Sequence, residues 1–280
     1  MVFNSKIGLG TVQFGIKYGI SNTAGQVSEE EVVKILNSAY DKGIRVIDTA
    51  PAYGDAEKTL GKYDLSKFKV ISKFMTVQGN NTVTKQLQNS LVQLNVDNIY
   101  AYLAHRPLGL MDDKSQWPEL QNLKEQGKVK KIGFSLNSPD EIELLVKNDM
   151  VPDIIQVPYN YFDNRFKDHI IQLKKSGCEI HARSAFLQGL FFMDTSNLSS
   201  FFDEVKNEIF NLQLKYRSEL SKVLLNYVAA FDFIDHVIIG VESEKQLIAN
   251  LQKSKSTYPL PQCNRTVSEL ILMPSNWPIN

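Results

Sequence analysis

Short apolar runs alternate with amphipathic stretches down the chain, beginning with Ile7-Gly-Leu-Gly-Thr11. Ser28 and Glu31 then stand in the spacing of a helix capping box. Val32, Val33, Ile35, Leu36 and Ala39 share one helical face, and Gly43 supplies a stop. The same grammar predicts strands over 44–48, 68–72, 99–104, 131–135, 153–157, 179–184 and 236–241. Helices are expected over 82–94, 117–125, 139–147, 165–175 and 243–251, with two more inside 197–231. With the first run this makes eight strands, each followed by helical pattern.

That count predicts a single α/β domain, a (β/α)8 TIM barrel over 1–280, with 252–280 as a C-terminal tail packed on the barrel. A doubly wound dinucleotide fold is disfavoured. Gly8 and Gly10 begin a G-x-G-x-x-G fingerprint, but Gln13 stands at its third position and no helical pattern follows at once.

Composition narrows the function classes. The 280 residues are 43% hydrophobic and carry 31 basic against 31 acidic side chains, a formal net charge of zero. That balance removes the electrostatic case for a nucleic-acid partner or a polybasic membrane anchor. No apolar run nears the roughly 20 residues that span a bilayer. The two cysteines, Cys178 and Cys263, form no C-x-x-C pair, and the first six residues lack a secretory pattern. A cytoplasmic protein is expected.

In such barrels catalytic groups sit at the C-terminal ends of strands. Here those ends carry Asp48 followed by Tyr53-Gly54, then Lys73, then His105. A phenol with an ordinary pKa of about 10 gives up its proton reluctantly. A nearby ammonium favours the phenolate, a carboxylate holds the ammonium, and an imidazole orients a carbonyl. Asp48, Tyr53, Lys73 and His105 therefore predict a general acid/base centre without a metal. Loops after strands seven and eight, with Ser184, Gly189, Gly240 and the cap-like pair Ser243 and Gln246, predict a phosphate site at a helix N-terminus. Phe14 and Tyr18 follow the first strand as candidate pocket walls.

These residues stand in an order that resembles the aldo-keto reductase superfamily: Ile7-Gly-Leu-Gly-Thr11, Phe14-Gly15, Gly43-Ile-Arg-Val-Ile-Asp-Thr-Ala-Pro-Ala-Tyr53-Gly54, Lys73 and His105. The resemblance runs from Ile7 to Leu251. It implies that Asp48, Tyr53, Lys73 and His105 form a catalytic tetrad and that NADP or NAD lies extended across the barrel mouth. It further implies cofactor contacts at Gly10, Thr11, Ser135, Asn137 and Gln156, and at Asn250 beside the adenine.

The chain departs from the family pattern in three places. Glu242 stands where many members carry a basic residue for the 2′-phosphate of NADP, which leaves NAD open. Arg183, in Ala182-Arg-Ser-Ala-Phe186, replaces an aromatic ring against the nicotinamide; it joins the cofactor contacts and points to an anionic or polyhydroxylated substrate. The N-terminal hairpin that closes the barrel floor in the family is expected to be absent or reduced. The expected activity is hydride transfer between the nicotinamide and an aldehyde, sugar or sugar derivative. An NAD-preferring sugar dehydrogenase working oxidatively and a cofactor-binding regulatory subunit are the alternatives. Oligomeric state is open.

Overall fold

The strands pair in chain order, all parallel, and close into a barrel. The computed structural model describes residues 2–76, 81–252, 260, 261, 263 and 265–278. The strands are β1 (Ile7–Gly10), β2 (Val46–Asp48), β3 (Lys69–Phe74), β4 (Ile99–Ala104), β5 (Val129–Ser135), β6 (Ile154–Pro158), β7 (Glu179–Arg183) and β8 (His236–Gly240). The helices are α1 (Val2–Ser5), α2 (Val12–Gly15), α3 (Glu29–Asp41), α4 (Ala56–Leu60), α5 (Val83–Leu94), α6 (Gln116–Glu125), α7 (Pro139–Lys147), α8 (Lys167–Lys175), α9 (Asp203–Tyr216), α10 (Leu220–Ala229), α11 (Glu244–Leu251) and α12 (Glu269–Leu272). β8 returns to β1 in the register Ile7↔Val237 to Gly10↔Gly240. The architecture is the (β/α)8 barrel. Helical turn α1 leads straight into β1, and among the described residues no floor hairpin precedes it.

Period-two alternation along each strand sorts the core into two shells. Val46, Ile71, Ala101, Leu103, Ile154 and Ile238 fill the barrel interior. Their outward neighbours, among them Ile47, Val70, Tyr102, Ile155 and Ile239, pack beneath the helices. A separate cluster joins Phe191, Phe202 and Leu212 to Ile271, Leu272 and Trp277 near the C-terminus. Arg165 ties that segment down, pairing with Asp163 at 2.9 Å and with Glu269 at 2.6 Å. Of the expected tail, residues 253–259, 262, 264, 279 and 280 lie outside the described residues.

Two differences from the sequence pattern have physical causes. β3 continues through Lys73 to Phe74, because burial beside a carboxylate lets a charged residue extend an apolar strand. The short helices α2 and α4 complete too few turns to show a helical period. Among the described residues no helix is long and apolar enough to cross a membrane.

Candidate active site

The inward-facing positions that stack the core layer continue upward into polar groups at the mouth. Two residues beyond Val46, Ile71 and Ile154 stand Asp48, Lys73 and Gln156, all buried. His105 follows β4 and is fixed by its own N–H, which donates to Phe74 O at 2.8 Å. Tyr53 ends a 3-10 turn, Pro51–Tyr53, directly after β2. Gly15 sets the height of that turn. A methyl group on Gly15 would fall 1.7 Å from Tyr53 O, so only glycine lets α2 and the tyrosine turn meet.

The four groups converge. Lys73 Nζ donates to Asp48 Oδ1 at 2.6 Å, to Thr49 O at 3.1 Å and to Tyr53 Oη at 3.1 Å. Burial acts to push the Lys73 ammonium down, but the charges of Asp48 and Tyr53 and their hydrogen bonds outweigh it and hold its pKa above the usual lysine value. Gln156 Nε2 donates to the second Asp48 oxygen at 2.8 Å, so both carboxylate oxygens are satisfied. Thr11 Oγ1 donates to Asp48 O at 3.0 Å and anchors the end of β2 to β1. The Tyr53 and His105 rings meet edge to face at 5.8 Å. Burial, reinforced by the Lys73, Arg183 and Arg106 cations, pushes the His105 pKa down to about 3. The imidazole is therefore neutral near pH 7.

A cleft opens over Asp48, Tyr53 and Gln156 and runs across the ends of β7, β8 and β1. Of the sequence-predicted residues, Gly10, Thr11, Tyr18, Arg183, Ser184, Gly189, Gly240 and Gln246 also line it. Two loops meet above it: Ile20 N–H donates to Gln188 O at 3.1 Å, and Gln188 Nε2 donates to Tyr18 Oη at 2.7 Å. Ser184, Leu187 and Gln188 adopt left-handed backbone conformations, as does Gly189, whose Cα faces Ser21 Oγ too closely for any side chain. Strain of this kind concentrates where a loop must hold one shape for a ligand.

Several predicted contacts lie elsewhere. Phe14 is not a pocket wall; it is fully buried in the outer core, because α2 turns it inward. Ser135, Asn137, Ser243 and Asn250 do not line the cleft. Asn137 Oδ1 instead accepts from Arg183 Nη2 at 2.7 Å, and Leu136 O accepts from the same nitrogen at 2.9 Å, so Asn137 positions the arginine. Ser243 Oγ caps α11 by accepting from Gln246 N–H at 3.2 Å, while Gln246 Oε1 accepts from Glu242 N–H at 2.6 Å. Glu31 does not close the box that begins at Ser28. It reaches α11, where its carboxylate accepts the Glu244 N–H at 2.8 Å.

The cleft offers an unsatisfied polar group to a ligand. Gln13 Oε1 is buried without a hydrogen-bond partner, and it lies 2.4 Å from where a Cβ on Gly240 would stand. An orphaned acceptor beside a bare backbone cradle is ready for a polar ligand. Gln13 carried no motif and was not a sequence candidate. Its position after β1, opposite Gly240 of β8, was the available signal.

The sequence model of the aldo/keto reductase family matches residues 6–267. The chain is 27% identical to aldo-keto reductase YhdN of Bacillus subtilis over 61% of its own length and 55% of that protein, so it spans just over half of that relative. It is 26% identical to L-galactose dehydrogenase of Arabidopsis thaliana over 95% of this chain and 91% of that protein. Among solved structures, the holo form of aldo-keto reductase AKR11C1 from Bacillus halodurans superposes with a TM-score of 0.71 at 21% identity, covering 91% of this chain and 88% of that one. The aldo-keto reductase of Klebsiella pneumoniae in complex with NADPH gives a TM-score of 0.67 at 21% identity, covering 94% of each chain. At such identities the structural likeness is one of fold.

Proposed function

Because the chain belongs to the aldo/keto reductase family, we propose that it moves a hydride between a nicotinamide dinucleotide and a carbonyl or alcohol carbon, with Tyr53 handling the proton. One observation carries this reading: Lys73, held by Asp48, donates to Tyr53 Oη at 3.1 Å. The dinucleotide, when bound, supplies or accepts the hydride. Negative charge that develops on Tyr53 Oη as its proton leaves meets an ammonium already in contact and already oriented. In the oxidative direction the same oxygen takes the proton back. His105, neutral near pH 7, offers an N–H to the substrate oxygen without adding charge to the site. Gln156 commits Nε2 to Asp48, leaving Oε1 to accept from a carboxamide in the cleft.

The dinucleotide we propose is NADH rather than NADPH. Glu242 lines the far end of the cleft, and Glu31 occupies the first N–H of α11. Two carboxylates at that end oppose a 2′-phosphate and suit ribose hydroxyls. For the substrate, Arg183 lines the cleft together with Tyr18 and Gln188, and a cation there favours a sugar or a carbonyl compound bearing an anionic group. A relative matched over most of its length is an L-galactose dehydrogenase, which supports a sugar. The two free thiols, Cys178 and Cys263, suit a reducing cytoplasm.

Fluorescence titration with NADH and NADPH, followed by turnover on a panel of aldoses, acidic sugars and small aldehydes, tests the reading. Saturable binding with NADH tighter, and turnover that needs the dinucleotide, is expected. Failure of both dinucleotides to bind would overturn it. Binding without turnover on any of the panel would restore the regulatory-subunit alternative.

A further inference from the structure

The inward face of the barrel carries chemistry at its lower end as well. Glu179 and His181 are two apart on β7 and so share that face, and His236 on β8 sits in register with His181. His181 Nε2 lies 2.7 Å from Glu179 Oε1, His236 Nε2 lies 4.0 Å from the same oxygen, and the three donor atoms fall within 4.8 Å of one another. His181 is fully buried, while Glu179 and His236 are only 11% and 17% exposed.

We propose that Glu179, His181 and His236 bind a zinc-like divalent cation at the barrel floor. His236 supplies the main reason. Its Nε2 lies 4.0 Å from Glu179 Oε1, too far for a hydrogen bond, so among the described residues a largely buried ring leaves its carboxylate-side nitrogen free for a cation. Ligands 2.0–2.1 Å from a tetrahedral zinc stand roughly 3.3 Å apart. The 2.7 and 4.0 Å spacings straddle that value and the third lies within 4.8 Å, so shifts of about 1.5 Å or less bring all three to it. The carboxylate is already oriented: Tyr100 Oη and Lys131 Nζ each reach Glu179 Oε2 at 2.6 Å, leaving Oε1 for the cation. On binding, His181 gives up its Nε2 proton, by transfer to solvent or to its own Nδ1. Solvent reaches the site past His236 and can supply a fourth ligand.

The site is structural in character. The layer of Val46, Ile71, Ala101, Leu103, Ile154 and Ile238 separates it from the mouth. It clamps the β7–β8 seam, which is joined through only two register pairs, fewer than any other seam of the barrel. Lys131 helps to hold the carboxylate, but its charge opposes a dication.

The test is titration of tag-free, chelator-treated full-length protein with Co2+, read by visible absorption, followed by Zn2+ displacement and thermal unfolding. One equivalent of Co2+ should give the d–d bands of a four- or five-coordinate centre. Zn2+ should remove them and raise Tm by several degrees, and dinucleotide affinity should not move. His236→Ala and Glu179→Gln should abolish the bands, the surface variant His169→Ala should keep them, and Lys131→Gln should tighten Co2+ about tenfold. Absence of the bands at one equivalent, or bands that survive His236→Ala, would overturn the site. The Lys131→Gln arm holds even if a ligand variant fails to fold, since unchanged or weaker binding there also counts against it.

Discussion

Lys73 Nζ and Asp48 Oδ1 lie 2.6 Å apart, with side chains 0% and 4% exposed. An ion pair so deep is costly to assemble and costlier to halve. Asp48→Asn should destabilise the fold by about 3–5 kcal/mol, because it strands a buried ammonium. Adding Lys73→Met should restore most of that stability while activity stays lost. Urea unfolding and kcat measured on both variants decide it; additive stability losses would contradict the pairing.

His105 should not titrate in the physiological range. Its folded pKa of about 3 lies below the ordinary histidine value of 6.5. The unfolded chain therefore binds the proton more readily between those two values. Stability from this group is complete above pH 6.5 and falls as pH drops toward 3. Imidazole NMR shifts for His105 should stay flat from pH 5 to 8. A midpoint near 6 or 7 would contradict the neutral role assigned to it.

Gly15 couples the short helix α2 to the turn that carries Tyr53. A β-carbon there would meet the backbone of Tyr53 and Ala56 at 1.7 and 2.6 Å, and backbone cannot turn aside as a side chain can. Gly15→Ala should cost about 1–3 kcal/mol or more, in the range of overpacked cores. It should also lower kcat by displacing the Tyr53 turn. Full activity in a folded Gly15→Ala variant would show that the contact does not set the site.

Charge at the far end of the cleft should select the nucleotide. Glu242→Arg exchanges a carboxylate for a bidentate cation at a lining position. The ratio of NADPH to NADH affinity should rise at least tenfold, about 1.4 kcal/mol. An unmoved ratio would mean that Glu242 does not face the ribose.

The barrel and its mouth were legible in the sequence for a specific reason. A buried parallel strand is an almost unbroken apolar run, so the pattern at 99–104 matches β4 at both ends. A charged residue at the end of such a run stands out, as Asp48 does. Contacts between distant loops were less visible. Asn137 and Glu31 are ordinary surface types, and nothing local says that one braces Arg183 and the other caps α11. Phe14 is expected to wall the pocket because it follows the first strand. Only the short helix α2, too brief to leave a period, turns it into the core. The floor cluster was hidden in the same way: His181 and His236 become neighbours through strand register alone.

In the proposed reaction the Tyr53 phenol exchanges the proton while the nicotinamide exchanges the hydride. The most direct measurement is single-turnover reduction by Tyr53→Phe preloaded with reduced dinucleotide. Nucleotide affinity should match the parent enzyme, while the hydride-transfer rate falls by about 10²–10⁴. A variant that binds the nucleotide normally and turns over within a few-fold of the parent would contradict the account.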